Sequence, residues 1–551
     1  MVRGYLGIDN GTQGLSIVLV DPDDLSVLAT GEGTYGFVDT KNDAWKEQRV
    51  EDWDAAVQQA MAQIHNKYRT EEGKDGRLDI LGIGISGQMH GQVLFDKNNK
   101  VIGPVRLWCD GRNNEEAQEL TELFGAKVPR RSTCARFLWT MRNQPEVAQQ
   151  TQHMTTPAGW IGYKLTQQFT LGVGDASGMF PMDTSTNNYD ETMLQQYDSV
   201  RPTHSALGRT VMPSIKSILP RVAVAGASPP IVLTEEGAAW LGLSSECVGI
   251  PVAPPEGDQP AAMAGSLIAD PGTVSMSFGT SIVSNTVCDR AFQGVSANVD
   301  NFCAADGKPI NMVWIQNGTT FFNQTVRLLA NGDFRSILPL VLEAPADCDG
   351  LLALPFLQDE PGVRVSSPGA SIVGFTNDNA SPGNVAKAAL LGPMYNLKAG
   401  NAILDEQGFP RTEIILTGGV TKTPEVGQIV ADVFDTRVRV LDSAEEGSAW
   451  GAALLVKYQR EKIDAIGCNQ DTGDEKKDGS DCRAVEAVNT GGQNSQEMTW
   501  SQFCRKATAH GQRSQTFEPN AEAVAIYQGC FKRYQALLAA QPIIGNALLR
   551  P

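Results

Sequence analysis

Two predicted β-hairpins carry glycine and hydroxyl residues at their tips, a combination that suits a phosphate group. The tips are Gly11-Thr12 and Gly279-Thr280-Ser281, each lying between two short apolar runs. Glycine lets backbone N–H groups approach an anion closely, and a Thr or Ser hydroxyl adds another donor. Two such tips could hold one polyphosphate, but the same residues also fit two ordinary hairpin turns.

Asp9 ends the strand that leads into the first tip. Its carboxylate would face the same anion there, an arrangement that only a bridging cation makes tolerable. The alternative is that Asp9 merely helps to form the turn. Rossmann and P-loop sites are disfavoured, because neither glycine-rich motif occurs between a strand and a helix.

Asp258 stands at the predicted start of a helix, ahead of Pro260 and a run of small residues. An Asp at such a position is a typical N-cap, and Pro is favoured in the first helical turn. A carboxylate near a domain boundary also lies where ligand-binding clefts form. The two roles exclude each other only if the side chain turns back onto its own helix.

Further polar residues follow predicted strands. In α/β sheets, ligands bind in the loop beyond the carboxyl end of a strand, so Gln88 and His90, after the apolar strand 80–87, could hydrogen-bond a polyol. A His in a glycine-flanked turn can equally be structural. The segment 107–112 contains an aromatic ring together with Asp110 and Arg112. These side chains could stack on and hydrogen-bond a sugar, or the charged pair could form a surface ion pair.

The elements that must position these residues alternate between strands and helices in both halves of the chain. In chain order they are a hairpin over 5–20, a helix over 50–68, a strand over 80–87, a second hairpin over 272–285, a helix over 384–402, a strand over 413–419 and a helix over 424–433. This alternation predicts the α/β class, and the repeated hairpin suggests two related domains.

Three prolines within 251–255 disfavour a helix and place the predicted boundary near residue 256. We therefore expect an N-terminal domain over 1–256 and a C-terminal domain over 257–545. The acidic segment 469–482 has almost no apolar residue and is predicted to be a surface loop. Cys468 and Cys482 flank it, and in a reducing compartment two free thiols are expected rather than a bridge.

The overall composition excludes several classes of protein. The 551 residues include 45 Lys and Arg against 63 Asp and Glu, a formal charge of −18 that disfavours nucleic acid and anionic membrane surfaces as partners. No apolar run approaches the length of a spanning helix, and Asp9 interrupts any signal-peptide core. A cytoplasmic location is expected. The ten cysteines show no zinc-binding spacing and are predicted to be free thiols.

Taken together and in order, these segments resemble the FGGY family of carbohydrate kinases, and within it the xylulose kinase branch. The resemblance spans residues 7–453. The matching segments are Gly7-Ile8-Asp9-Asn10-Gly11-Thr12, Ser86-Gly87-Gln88-Met89-His90-Gly91, Leu107-Trp108-Cys109-Asp110-Gly111-Arg112, Gly174-Asp175-Ala176-Ser177-Gly178, Gly257-Asp258-Gln259-Pro260-Ala261-Ala262, Ser277-Phe278-Gly279-Thr280-Ser281, Leu416-Thr417-Gly418-Gly419 and Glu446-Gly447-Ser448-Ala449-Trp450-Gly451-Ala452-Ala453.

The resemblance implies two actin-like, RNase H-like ATPase domains with an interdomain cleft that takes ATP and a sugar. By this resemblance Asp258 is the catalytic base, and Asp9 matches the position associated with Mg²⁺. It also implies a set of ATP-contacting residues and a set of sugar-contacting residues. The first set is Gly11, Thr12, Gln13, Gly279, Thr280, Ser281, Gly418 and Gly419. In the second set Met89, His90 and Gln259 come from the resemblance, and the candidates Gln88, Asp110 and Arg112 identified above are added to them.

Departures from the family pattern bear on the substrate. Asn10 replaces the usual leucine, Gln259 stands where xylulose kinases often have Asn, and the familiar Gly-Glu-Arg-Thr-Pro stretch is replaced by the segment 357–364. The implied activity is ATP-dependent phosphorylation of D-xylulose to D-xylulose 5-phosphate, with ribulose or sedoheptulose as alternative ketoses. A sugar- and nucleotide-binding regulator without turnover is the alternative from another class. The expected partners are the ketose and ATP, and whether the chain forms a homodimer stays open.

Overall fold

The computed structural model describes residues 2–40, 42–68, 78–202, 204–205, 208–209, 211–441, 447–470, 498–509 and 514–548. The chain divides into two compact units. Unit 1 comprises Met1–Ala269, Phe302–Lys308 and Glu446–Gly511, and unit 2 comprises Asp270–Asn301, Pro309–Glu445 and Gln512–Pro551. The predicted acidic loop 469–482 lies almost wholly outside the described residues, as do the side chains of Cys468 and Cys482.

Unit 1 is built on a seven-stranded mixed sheet. The hairpin Val2–Asn10 and Gly14–Val20 is antiparallel, and Val2–Asn10 runs parallel to Leu78–Gly87 on its other side. In spatial order the strands are Ile231–Val232, Pro251–Val252, Leu78–Gly87, Val2–Asn10, Gly14–Val20 and Val27–Thr34, with Glu256–Gly257 also paired to Leu78–Gly87. The central strand Leu78–Gly87 is almost wholly buried, which explains its near-continuous apolar sequence.

Each helix of unit 1 contributes side chains to one of its apolar clusters. The helices are Val50–Lys67, Asn114–Phe124, Thr133–Asn143, Pro145–Gln150, Pro157–Thr166, Val173–Met179, Glu191–Ser199, Ile215–Ile218, Glu235–Trp240, Asp258–Gly265, Gly447–Gln470 and Trp500–Ala509. The first of them buries Trp53, Val57, Ala60 and Ile64 among others, positions that recur at helical spacing on one face. This stripe joins the apolar core on one side of the sheet.

Unit 2 repeats the central plan of unit 1. The hairpin Thr273–Phe278 and Ile282–Val287 is antiparallel, and Thr273–Phe278 runs parallel to Glu413–Gly418. In spatial order the strands are Val299–Cys303, Pro309–Ile315, Ile282–Val287, Thr273–Phe278, Glu413–Gly418, Arg437–Leu441 and Ser514–Phe517. The helices are Thr320–Ala330, Phe334–Glu343, Pro382–Glu406, Val426–Phe434 and Ala521–Leu548. A single apolar core packs them against the sheet.

The predicted helices and strands are confirmed, with small shifts at their ends. The helix expected over 384–402 extends over Pro382–Glu406, and the one expected over 424–433 covers Val426–Phe434. The eight cysteines that the structure describes are free, as predicted. Among the described residues, no helix is long and apolar enough to cross a membrane.

The division into units differs from the predicted boundary at 256/257. It falls after Ala269, and residues 446–511 return to unit 1. The helix Gly447–Gln470 packs so tightly on this sheet that a Cβ at Gly7 would lie 1.8 Å from the Ala449 carbonyl oxygen, and one at Gly84 would lie 1.8 Å from that of Ala452. The small residues of the segment 447–453 therefore serve contacts that are distant in sequence, which local composition does not show.

Candidate active site

The carboxyl ends of neighbouring parallel strands bring the predicted acidic residues together in unit 1. Asp9 pairs with Ser86, and Ser86 pairs with Glu256 on the next strand. Asp258 follows as the first residue of the helix Asp258–Gly265. A ligand at this edge of the sheet would therefore meet side chains from three strands.

The Asp258 carboxylate does not cap its own helix. Gly257 occupies the N-cap position and no side-chain cap hydrogen bond forms, so the N-cap alternative for Asp258 is wrong. Asp258 is half-buried. Burial and the nearby charge of Asp9 raise the pKa of Asp258 to about 7. A carboxylate that exchanges a proton near neutral pH suits a general base.

Asp9 has one carboxylate oxygen engaged and remains half-buried. The Ser86 hydroxyl donates to its Oδ1 at 2.8 Å. Burial raises the pKa of Asp9, and the Ser86 hydrogen bond partly opposes that rise. Among the described residues, no group of three or more His, Cys, Asp or Glu could hold a metal unaided. One available carboxylate fits Mg²⁺, which binds through one or two carboxylates together with water and substrate phosphates.

Two further acidic residues, Asp175 and Glu256, are buried beside the stretch 257–258. Glu256 accepts hydrogen bonds from the backbone N–H groups of Asp175 at 2.9 Å and Gly174 at 3.4 Å. The Thr156 hydroxyl donates to Asp175 Oδ2 at 2.5 Å, whereas Asp175 Oδ1 has no hydrogen-bond partner. Burial raises the pKa of Asp175 to about 8, and the nearby Asp258 adds to the rise. Sequence reasoning gave neither residue a role.

The first hairpin tip is accessible, and hydrogen bonds to its carbonyl groups stabilise its conformation. Gly11 N donates to the Gly14 carbonyl oxygen at 3.0 Å, closing the turn. The Tyr35 hydroxyl lies 2.7 Å from the Gly11 carbonyl oxygen and 3.0 Å from that of Gly14, so it can donate to either. Gln13 at the tip is exposed and Thr12 is half-buried. These are the conditions under which backbone N–H groups can receive an anion.

Gln88 does not face solvent, contrary to the prediction that it hydrogen-bonds a sugar. Its side chain is fully buried. Gln88 Nε2 donates to the Gly11 carbonyl oxygen at 3.2 Å and to Gln48 Oε1 at 3.0 Å. The residue therefore supports the hairpin tip. No motif pointed to Gln48, which lies on the short strand Glu47–Gln48.

The turn after Gln88 places Met89 and His90 against the helix Val173–Met179. His90 Nδ1 lies 2.9 Å from the Gly178 carbonyl oxygen, and Arg131 Nε donates to His90 Nε2 at 3.2 Å. Because Nε2 accepts, the tautomer assigned to His90 is the one with a proton on Nδ1. The backbone of His90 is left-handed, with φ 67°. Both ring nitrogens thus have protein partners, and Gln259 is the exposed member of the predicted sugar set.

Asp110 and Arg112 lie in a buried ion-pair network, which corrects both predictions made for them. The side chains are 0% and 5% exposed, so they are neither free to bind a sugar nor a surface pair. Asp110 accepts from Arg106 at 3.2 Å and from the backbone N–H of Lys46 at 2.9 Å. Burial would raise the pKa of Asp110, but the hydrogen bonds and charge of Arg112, together with the charge of Arg106 and the Lys46 N–H, hold it at about 2. The network fixes the loop that carries the exposed Trp108.

Unit 2 presents the second tip in the same way as unit 1 presents the first. Gly279 N donates to the Ser281 carbonyl oxygen at 3.0 Å, and Thr280 and Ser281 are exposed. Gly418 lies beside Phe278, the residue before the tip, on the neighbouring parallel strand. Its φ of 79° favours glycine, and Gly418 and Gly419 are both exposed.

A buried carboxylate organises the loop behind this second tip. Glu360 is fully buried. It accepts from the backbone N–H groups of Gln316 and Asn317, both at 2.9 Å, and from Asn396 Nδ2 at 3.2 Å. The same loop meets the tip, because Gly318 N donates to the Thr280 carbonyl oxygen at 3.0 Å. The loop also lines a cavity of about 340 Å³ in unit 2.

Comparison with known proteins agrees with this arrangement. Residues 4–265 match the N-terminal domain of the FGGY family of carbohydrate kinases, and residues 274–459 match its C-terminal domain. The chain belongs to the FGGY family of carbohydrate kinases. It is therefore an enzyme of the carbohydrate kinase class, and a sugar and ATP are its substrates.

Named relatives of this FGGY kinase are xylulose kinases. The chain is 26% identical over 464 residues to xylulose kinase of Haemophilus influenzae, covering 82% of this chain and 90% of the relative. It is 26% identical over 467 residues to xylulose kinase of Escherichia coli, covering 82% and 89%.

Solved structures share the fold of this FGGY kinase. The ligand-bound xylulose kinase of Lactobacillus acidophilus has a TM-score of 0.75 at 20% identity and covers 100% of both chains. Plasmodium falciparum glycerol kinase with ADP has a TM-score of 0.74 at 17% identity, covering 100% of this chain and 99% of the other. The predicted class of two actin-like α/β domains is confirmed.

Proposed function

We propose that this FGGY kinase transfers the γ-phosphoryl group of ATP to D-xylulose and forms D-xylulose 5-phosphate. The observation that carries the proposal is the position of Asp258. Its half-buried carboxylate has a pKa raised to about 7, and it shares one edge of the unit 1 sheet with Asp9 and with the Met89–His90 turn. The 26% identity to xylulose kinases supports this choice of ketose.

Asp258 acts as the general base in this proposal. The attacking sugar hydroxyl gives its proton to the carboxylate as its oxygen bonds to the γ-phosphorus, and the bond from that phosphorus to the bridging oxygen of ADP breaks. Asp258 does not occupy the N-cap of its helix, and its carboxylate accepts hydrogen bonds from the backbone N–H groups of Gln259 and Met89. Burial and the nearby charge of Asp9 favour the protonated form of Asp258 that follows the transfer.

The nucleotide is held by backbone groups at both tips. Gly11, Thr12 and Gln13 receive phosphate oxygens in unit 1, and Gly279, Thr280 and Ser281 do so in unit 2, with Gly418 and Gly419 approaching the adenosine. Asp9 would hold Mg²⁺, which when bound neutralises charge on the β- and γ-phosphates.

The ketose is contacted by Met89, His90 and Gln259. His90 is held by Arg131 and Gly178, so it offers its ring in a fixed orientation. Gln259 is exposed beside the base and is the side chain best placed to read a hydroxyl. Asp110, Arg112 and Gln88 are not in this set, because their side chains are committed to buried contacts.

A coupled assay of ADP release tests the proposal, with D-xylulose, D-ribulose, sedoheptulose, gluconate and glycerol as acceptors. We expect the highest kcat/KM with D-xylulose. A higher value with ribulose or sedoheptulose would replace the ketose but keep the reaction type. Binding of sugar and Mg·ATP without ADP release from any acceptor would favour a non-catalytic regulator.

A further inference from the structure

The side chains of two buried glutamines connect the first phosphate tip to the sugar-binding turn. Gln48 and Gln88 are both 0% exposed. Gln88 Nε2 donates to Gln48 Oε1 at 3.0 Å, and Gln48 Nε2 donates to the Thr12 carbonyl oxygen at 2.7 Å. Gln48 Oε1 also accepts from Trp53 Nε1 at 3.1 Å. Every polar atom of the Gln48 side chain is thus engaged, and the geometry of the tip depends on it.

Gln88 makes three more contacts with the same hairpin. Its backbone N–H donates to the Asn10 carbonyl oxygen at 2.8 Å, its Nε2 donates to that of Gly11 at 3.2 Å, and its Oε1 accepts from Thr12 Oγ1 at 3.3 Å. The next two residues in the chain are Met89 and His90. A shift of this turn therefore moves hydrogen bonds at the phosphate tip directly.

The Thr12 hydroxyl can serve only one acceptor at a time. Trp108 Nε1 donates to its oxygen at 3.0 Å, which leaves its single proton for Gln88 Oε1. If that proton turns to a phosphate oxygen, Gln88 Oε1 loses its donor. The Gln88 amide can then reorient only by disturbing its hydrogen bond with Gln48. Nucleotide binding at the tip therefore changes hydrogen bonds next to the sugar-binding turn.

Resting on the proposed function, we propose that Gln48 is a positioning residue that couples ketose binding to nucleotide binding through Gln88 and Thr12. A bound ketose restrains the 88–90 turn, and the two glutamines pass this restraint to the hairpin tip. The tip is then held in its phosphate-binding shape, so nucleotide binding has to order fewer groups. The linkage is reciprocal, so Mg·ADP strengthens ketose binding by the same factor.

Calorimetric titration of Mg·ADP in the absence and presence of saturating D-xylulose measures this coupling. In the wild type we expect ketose to tighten Mg·ADP binding about fivefold or more. Gln48→Met keeps the length of the side chain but removes its donor and acceptor, and it should reduce this factor to near one. The matched control is Gln92→Met, because Gln92 is equally buried and bonds Thr140 rather than the hairpin.

Three results would overturn the coupling: no effect of ketose in the wild type, an unchanged factor in Gln48→Met, or an equal loss in Gln92→Met. If Gln48→Met does not fold, Thr12→Val at the accessible tip provides the second test and should also bring the factor to near one. A wild type that binds Mg·ADP but no ketose refutes the proposed function instead. The role of Gln48 is then judged without ketose, where Gln48→Met should weaken Mg·ADP about threefold or more relative to Gln92→Met, and equal affinities overturn it.

Discussion

The backbone N–H of Asp175 donates to the buried Glu256 carboxylate at 2.9 Å, so two acidic side chains adjoin the stretch that ends in Asp258. Burial raises the pKa values of both, and each lies close enough for its charge to disfavour a second one. Buried acids of this kind cost stability when they must ionise. The pH dependence of folding stability should therefore depend on Asp175 and Glu256, which lie next to the proposed catalytic base Asp258.

The first prediction concerns stability in Asp175→Asn. The folded pKa of Asp175 is about 8, above the ordinary value of 3.8, so the folded state holds this proton more tightly than the unfolded state. Its stabilising effect is complete below about pH 4 and is lost as the pH rises through about 8. The Tm of Asp175→Asn minus that of the wild type should therefore be larger at pH 8 than at pH 5. Thermal melts at both pH values test this, and a constant difference would contradict it.

The second prediction concerns the base. Asp258→Asn should keep the fold and ketose binding while lowering kcat on the order of 10²-fold or more, because the proton acceptor is lost. In the wild type, kcat/KM should rise as the pH passes upward through about 7, when Asp258 loses its proton. Steady-state kinetics from pH 5.5 to 9 measure both effects. Turnover near the wild-type level in the variant would remove Asp258 from this role.

The third prediction concerns Asp9→Ala and the metal. Loss of the carboxylate should raise the Mg²⁺ concentration needed for half-maximal activity, because one protein ligand or water-mediated contact is missing. Mg²⁺ titrations at saturating ATP and ketose measure this shift. An unchanged midpoint would assign Asp9 a structural role through Ser86 alone.

The fourth prediction concerns Glu360, which accepts several N–H groups behind the second tip. Glu360→Gln sets an NH₂ group against those donors and should cost roughly 1 to 3 kcal/mol of folding stability. It should also raise the KM for ATP several-fold and leave the KM for the ketose nearly unchanged, because the loop 316–318 contacts Thr280. Asn384→Ala, a buried polar change near the start of the helix Pro382–Glu406, is the control. Equal effects on both KM values would contradict the prediction.

The fifth prediction concerns selectivity. Gln259→Ala should narrow the ratio of kcat/KM values for xylulose and ribulose, because these sugars differ at one carbon and a lost hydrogen bond is worth roughly 1 to 3 kcal/mol in a closed site. His90→Ala should also narrow the ratio, but with a fall in Tm, since His90 is bonded to Arg131 and Gly178. The KM for ATP should stay within a few-fold. Parallel losses on both sugars in Gln259→Ala would assign that residue a structural role.

The sequence by itself determined the α/β class and the two hairpins, and it singled out Asp9 and Asp258 as candidates whose roles only the family resemblance implied. These follow from local patterns: alternating strands and helices, glycine at tight turns, and motifs of a few residues. The same patterns located the long helices to within a few residues of their observed ends. Periodicity and turn chemistry are short-range properties, so a sequence records them directly.

Only the tertiary structure decided which polar side chains are available to a ligand. The local sequence around Gln88 and Asp110 does not indicate that both are fully buried. Their side chains stabilise neighbouring loops and are not available to contact a ligand. Gln48, Glu256 and Glu360 acquire their roles from partners dozens of residues away. The energy of a buried polar group depends on which distant donors complete its hydrogen bonds, and chain folding alone brings those donors to it.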